Sequence, residues 1–260
     1  MRLAIIGTGM LGGAIARRLA ATAAPGAEPI MVAGRGRPPG RLAGVAGLRE
    51  ADGPRAAVAG ADVVLLAVPP AEAGALGLDC PGALVVSVMA GVPLARLTRI
   101  TGAVRAVRAM CSPAAEQGLA YTPWIATEFV TAEDRAALAG VLARLGQADE
   151  VFDEALIDLF TALTGPVPGL LAEVARVLIA EAEARGAPPA VADRAVRQLF
   201  LASGEVLGRG PDSAAQHVRA MIDYAGTTAA ALERLQAAPL DRALSEALDA
   251  AIRRAATIAG

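Results

Sequence analysis

The chain has 260 residues, room for one large domain or two modest ones with a full core. Hydrophobic residues make up 55% and charged residues 19%, a globular and not a disordered composition, and a formal net charge of -2 leaves no basic footprint for nucleic acid. There is no lysine and no asparagine, and His217 is the sole histidine, which excludes Schiff-base chemistry, a lysine acid, a histidine dyad and a His-rich metal site. Cys80 and Cys111 are too few and too distant for a disulfide framework or a metal centre, so no metal is expected. No apolar run reaches the ~18 residues needed to span a bilayer, and no charged-then-apolar leader precedes the first apolar segment. The expectation is a soluble cytoplasmic protein with neither membrane nor nucleic acid as partner.

Leu3-Ala4-Ile5-Ile6 reads as a short buried strand and runs straight into Gly7-Thr8-Gly9-Met10-Leu11-Gly12. Ile15, Ala16 and Leu19 then recur at helical spacing. Strand, G-x-G-x-x-G and helix in that order are the context of a dinucleotide fingerprint. Gly7 permits the tight turn, Gly9 lets the backbone approach a pyrophosphate, and Gly12 lets the helix pack close to the strand. The helix start offers free N–H groups and a positive dipole end to phosphate. A glycine-rich turn without a ligand is the bland alternative.

Pro29-Ile30-Met31-Val32-Ala33 reads as the second strand. Folds selective for NAD usually carry a carboxylate at its end, on the ribose hydroxyls. Here the end reads Gly34-Arg35-Gly36-Arg37, and an arginine fork suits a 2′-phosphate. NADP(H) is therefore favoured over NAD(H), with a solvated surface arginine as the alternative.

The continuous apolar run from Ala61 to Val68, ended by Pro69-Pro70, fits a strand buried on both faces of a parallel sheet. Ala83 to Val88 gives another, Val104 to Met110 a further one broken by Cys111-Ser112-Pro113, and Gly118 to Ala126 one more. Ala132 to Leu145 reads as a helix that ends at Gly146. This alternation predicts an α/β fold, a doubly wound parallel sheet over residues 1–152.

From residue 153 to 260 strand signals vanish and helical periodicity remains. Leu171, Val174, Leu178 and Ile179 line one helix, and Val191, Val196, Leu199, Phe200 and Val206 a second. Asp212 or Ser213 can cap a third that carries Val218, Met221 and Ile222. Asp223-Tyr224-Ala225-Gly226-Thr227-Thr228 interrupts it, and Thr227 can cap the next. Leu240, Leu244, Leu248, Ile252 and Ala255 mark the last amphipathic helix. An alanine-rich helical half of this size has trouble burying every face alone, which points to a subunit interface; a compact helical monomer domain is the alternative.

At this point the chain resembles the pyrroline-5-carboxylate reductase family over nearly its full length. The residues that carry the likeness are Gly7 to Gly12, Arg35, Ala67-Val68-x-Pro70, Val86-Ser87-Val88-x-Ala90-Gly91-Val92, Arg108-x-Met110, Ala162-Leu163-Thr164-Gly165-x-x-Pro168 and Ala225-Gly226-Thr227-Thr228. The resemblance implies NADPH-dependent reduction of a cyclic imine acid to proline. It also implies a Rossmann domain followed by an all-α domain that intertwines in a homodimer or higher homo-oligomer. Residue by residue, it puts the pyrophosphate on Gly7, Thr8, Gly9, Met10, Leu11 and Gly12 and the 2′-phosphate on Arg35. Ala67, Val68, Pro69, Ala90 and Gly91 would flank the ribose and nicotinamide. Thr228 matches the threonine that hydrogen-bonds the imine nitrogen, and Gly226 and Thr227 match the helix start that receives the carboxylate.

The departures cluster at the substrate end. The family usually reads Ser-Pro-Gly-Gly-Thr-Thr where this chain reads Asp223-Tyr224-Ala225-Gly226-Thr227-Thr228. A carboxylate at Asp223 repels a carboxylate substrate and attracts an iminium. The expectation is a relative that reduces a different imine, with Asp223 or Tyr224 as proton source or cation anchor beside Thr228. An outward-pointing helix-end Asp223 is the alternative. Two other readings remain: a carbonyl reductase on a similar plan, and a nucleotide-binding protein without catalysis.

Overall fold

The computed structural model describes residues 1–34, 42, 44–165 and 167–257. The chain divides into two compact units, Met1–Gly165 with Ala250–Gly260, and Pro166–Asp249. In the first unit the strands are β1 (Leu3–Ile6), β2 (Ile30–Ala33), β3 (Leu48–Glu50), β4 (Val63–Leu66), β5 (Leu84–Ser87), β6 (Ala106–Ala109), β7 (Ala120–Ala126) and β8 (Gly146–Glu150). They form one sheet in the order β3-β2-β1-β4-β5-β6-β7-β8. Every neighbouring pair is parallel except β6 and β7. The order reverses between β1 and β4, the switch point of a doubly wound sheet.

The helices of this unit are α1 (Met10–Ala21), α2 (Pro54–Val58), α3 (Leu94–Thr101), α4 (Ala132–Leu142) and α5 (Ala155–Thr164). Alternation within β1 shows why the strands read as unbroken apolar runs. Leu3 and Ile5 pack with Ile15 and Leu19 of α1 and Leu138 and Leu142 of α4. Ala4 and Ile6 pack on the other face with Ala57 of α2 and Leu97 of α3. Both faces are covered, so no position in β1 tolerates a polar side chain.

Two expectations need correction here. The helix from Ala132 stops at Leu142, and Gly146 does not merely end it but starts the edge strand β8. That strand, Gly-Gln-Ala-Asp-Glu, alternates between half-buried and exposed positions along its length, so it lacks the apolar run that reveals an interior strand. β3 and α2 went unseen because three and five residues are too few to show a period. The stretch 155–184, in which an 18-residue window reaches a mean hydropathy of 1.5, is long and apolar enough by composition alone to cross a bilayer, although no uncharged run in it reaches 18 residues. It nevertheless carries Asp158, Glu173 and Arg176, and Asp158 is paired with an arginine of the sheet.

The second unit contains α6 (Val167–Ala184), α7 (Pro189–Arg209), α8 (Ala214–Asp223), α9 (Thr227–Gln236) and the start of α10 (Leu240–Thr257). α6 packs on α7, and α8 on α9. Of the two candidate caps for α8, Ser213 serves: its hydroxyl accepts from the Gln216 N–H at 3.3 Å while its own N–H donates to Gln216 Oε1 at 2.8 Å. α9 differs from expectation. Gly226, at φ 96, is the N-cap, and Thr227 is already the first helical residue, so its hydroxyl does not cap the helix.

Candidate functional site

The carboxyl edge of the sheet gathers the residues of the glycine fingerprint with two other loops. Backbone pairing continues one residue beyond each central strand: the Gly7 N–H donates to the Ala33 carbonyl at 2.7 Å, Ala67 to Ile6 at 2.7 Å, and Val88 to Leu66 at 2.9 Å. These bonds bring together Gly7 to Gly12 after β1, Ala67 to Pro69 after β4, and Ala90 and Gly91 after β5. The three loops sit side by side because β1, β4 and β5 are adjacent in the sheet.

Sterics assign each glycine a task. Gly7 has φ 100, and a Cβ there would lie 2.5 Å from the Ala67 carbonyl. A Cβ on Gly12 would overlap the Gly7 carbonyl oxygen, and one on Gly34 would overlap the Thr8 hydroxyl. Around Gly9 there is nothing within 4 Å of such an atom. The first two glycines are therefore required by the protein itself, whereas Gly9 faces open space that a ligand backbone can enter. No side chain caps α1, whose N-cap is Gly9. Its first-turn N–H groups, which have no partner within the helix, are donors without a protein acceptor in the cap. A free helix start, an open glycine and buried Thr8 fit a pyrophosphate. Arg35, expected on the 2′-phosphate, lies outside the described residues.

A separate cleft of about 700 Å³ opens at the amino edge of the sheet, lined by Arg2, Arg55, Asp62, Asp79 and Gly82. It contains none of the cofactor- or substrate-site residues expected from the sequence.

In the second unit the structure keeps Asp223, Tyr224, Gly226, Thr227 and Thr228 together on the joint between α8 and α9. Asp223 ends α8, Tyr224 follows as its C-cap with 86% of its surface exposed, and Ala225 has φ 63. Asp223 has no salt bridge or side-chain hydrogen bond among the described residues. Gly226, Thr227 and Thr228 are exposed in the single chain. With no side-chain cap on α9, its N–H groups are open to an anion.

Sequence reading missed one cluster. Arg108 of β6 is 3% exposed, and its guanidinium reaches Glu154 Oε1 at 3.1 Å and Asp158 Oδ1. The two acids are four residues apart at the start of α5, hence on one helix face, where they also suit the helix dipole. Arg108 Nε is buried without a partner. Half of the signal was present in the sequence: an arginine inside an apolar strand must meet a carboxylate, but several acids lie closer along the chain than Glu154 and Asp158, 46 and 50 residues away.

The fold and the glycine loops define a dinucleotide-binding α/β protein with a helical second part. Residues 2–91 match the family described as NADP oxidoreductase coenzyme F420-dependent, and residues 154–258 match pyrroline-5-carboxylate reductase dimerisation. A pyrroline-5-carboxylate reductase of Thermus thermophilus is 34% identical over 98% of this chain and 97% of that protein. Among solved structures, a pyrroline-5-carboxylate reductase from Coxiella burnetii superposes with a TM-score of 0.88 at 24% identity, covering 100% of this chain and 98% of that one. The Plasmodium falciparum pyrroline carboxylate reductase with NADP bound gives a TM-score of 0.84 at 18% identity, over 100% of this chain and 98% of the other, a likeness of fold. The chain belongs to the pyrroline-5-carboxylate reductase family.

Proposed function

We propose that this protein is an NADPH-dependent reductase of a cyclic imine, of the type that converts 1-pyrroline-5-carboxylate to proline. The observation that carries the reading is the convergence of Gly7 to Gly12, Ala67 to Pro69 and Ala90-Gly91 on one sheet edge, in a chain related to such reductases along its whole length. Residues 1–152 serve the cofactor, and residues 153–260 serve substrate and dimerisation.

Gly7, Thr8, Gly9, Met10, Leu11 and Gly12 hold the pyrophosphate through the start of α1, and Arg35 selects the 2′-phosphate. Ala67, Val68, Pro69, Ala90 and Gly91 flank the ribose and nicotinamide. The bound dinucleotide supplies a hydride. Gly226 and Thr227 receive a carboxylate at the start of α9, and the Thr228 hydroxyl orients the imine nitrogen. A protonated C=N is already electrophilic, so alignment and exclusion of water are the main demands on the protein. Asp223 or Tyr224 would serve beside Thr228 as proton source or cation anchor.

The apolar surface of the second unit supports a homodimer. Leu171 and Val174 of α6 are 49% and 47% exposed, and an apolar groove of about 610 Å³ runs between α6 and α7. Faces of this kind mark association surfaces. A cytoplasmic location completes the reading.

The test is calorimetric titration with NADPH and NADH, followed by NADPH oxidation with a panel of cyclic imines and ketones. NADPH binding with imine turnover is expected. Turnover of ketones alone would make the protein a carbonyl reductase, and binding without any turnover would make it a nucleotide-binding protein. A second reading, favoured by the carboxylate of Asp223, which is unpaired among the described residues, is an imine that lacks the ring carboxylate.

A further inference from the structure

We propose that Glu154, held by Arg108, is a positioning residue for the loop 88–93, which carries Ala90 and Gly91. This rests on the reading of that loop as a wall of the nicotinamide site. The loop is anchored at both ends by side chains. At its start the Ser87 hydroxyl accepts from the Met89 N–H at 3.2 Å. At its end α3 begins with Pro93 at the N-cap, a residue without any side-chain acceptor. The missing acceptor comes from 60 residues away: Glu154 Oε1 takes the Leu94 N–H at 2.8 Å. Between the two anchors lie Ala90, Gly91 at φ 67, and the buried Val92.

The same oxygen of Glu154 also receives Arg108 Nη1. Arg108 stands opposite Ser87 in the β5–β6 register, so both anchors of the loop start from neighbouring positions of the sheet. The buried guanidinium cannot swing away without leaving its charge uncompensated, and this fixes the carboxylate. Glu154 is therefore a borrowed helix cap, whose aim is set by an arginine in the sheet and whose load is the loop beside the proposed nicotinamide. Asp158 shares the arginine but not the Leu94 N–H, and this separates positioning from mere stability.

Three variants test the proposal: Glu154→Ala, which removes the acceptor and the charge; Glu154→Gln, which keeps a carbonyl acceptor; and Asp158→Asn, which perturbs only the arginine. Amide hydrogen exchange over 88–97 reads the loop without cofactor, fluorescence titration gives the NADPH Kd, and steady-state assays give kcat and KM. In Glu154→Ala, exchange at Leu94 should rise about tenfold or more, and kcat should fall about tenfold through misplacement of the hydride donor. The NADPH Kd should stay within about threefold because the phosphate contacts lie elsewhere. Glu154→Gln should recover most of both losses. Asp158→Asn should lower Tm while leaving Leu94 exchange and kcat near wild type. The proposal is overturned by unchanged Leu94 exchange in Glu154→Ala, or by equal losses of kcat in Glu154→Ala and Asp158→Asn. If Leu94 exchange responds as stated but the wild-type protein neither binds nor oxidises NADPH, the nicotinamide reading is what fails, and the positioning role goes with it.

Discussion

A side chain on Gly12 would place its Cβ on the carbonyl oxygen of Gly7. The turn and the helix that follows it are thus locked backbone against backbone, whereas Gly9 between them, at φ -67, faces empty space. The fingerprint therefore separates by substitution. Gly12→Ala should destabilise the protein by about 3 kcal/mol, because neither colliding atom is the free end of a flexible chain. Gly9→Ala should leave stability within about 0.5 kcal/mol of wild type, since its φ is ordinary for alanine. The same change should weaken NADPH binding about tenfold or more by obstructing the approach of the pyrophosphate. Thermal unfolding and calorimetry on the two variants check both halves. Equal effects on Tm would remove the distinction.

Ala225 occupies a left-handed conformation at φ 63, a region that costs an L-residue about 1–2 kcal/mol. Ala225→Gly, which restores the glycine pair usual in the family, should relieve that strain. After the extra entropy of glycine in the unfolded chain is subtracted, a net stabilisation of about 0.5–1 kcal/mol is expected. Denaturant unfolding would register it as a raised midpoint at constant slope.

The buried cation of Arg108 makes its cluster strongly non-additive. Replacing Glu154 and Asp158 together by neutral residues strands the guanidinium and should cost about 3–5 kcal/mol. Adding Arg108→Met to that double variant should recover most of the loss, since no buried charge then remains. A triple variant no more stable than the double would count against this account of the cluster.

Asp223 sets the sign of charge at the α8–α9 joint. On the second reading, an imine without the ring carboxylate, wild-type protein should prefer 1-pyrroline over 1-pyrroline-5-carboxylate in kcat/KM. Asp223→Ser should shift that ratio toward the carboxylate by about tenfold, corresponding to about 1.4 kcal/mol of relieved repulsion. The shift should shrink in high salt, because Asp223 is exposed. An unaltered ratio in Asp223→Ser would leave the residue without a role in selectivity.

Burial holds the Cys111 thiol above its ordinary pKa of 9.0. A raised pKa in the folded state means that unfolding favours thiolate. Its contribution to stability is therefore complete below the unfolded pKa and lost as pH rises toward the folded one. Stability of the wild type should decline above about pH 8.5 more steeply than that of Cys111→Ala. Alkylation of Cys111 at pH 7 should be slow in the native protein and rapid in denaturant.

Much of this molecule was settled by the order of its residues. Leu3 to Ile6 followed by three spaced glycines specifies strand, tight turn and helix, because the collisions at Gly7 and Gly12 arise within a short piece of chain. The long apolar runs announced a sheet covered on both faces, and the loss of those runs after residue 153 announced the helices. The family resemblance was equally legible, since it lives in spacing. Tertiary structure decided the rest. β8 is visible only beside β7, and the N-cap of α9 fell on Gly226, at φ 96, with Thr227 as the first helical residue. Arg108 finds Glu154 and Asp158 across 46 and 50 residues, and Leu94 finds Glu154 across 60. A buried charge and an uncapped helix each demand a partner, and this demand can be read from the residue alone. Which partner answers it depends on folded distance, which the local chain does not encode.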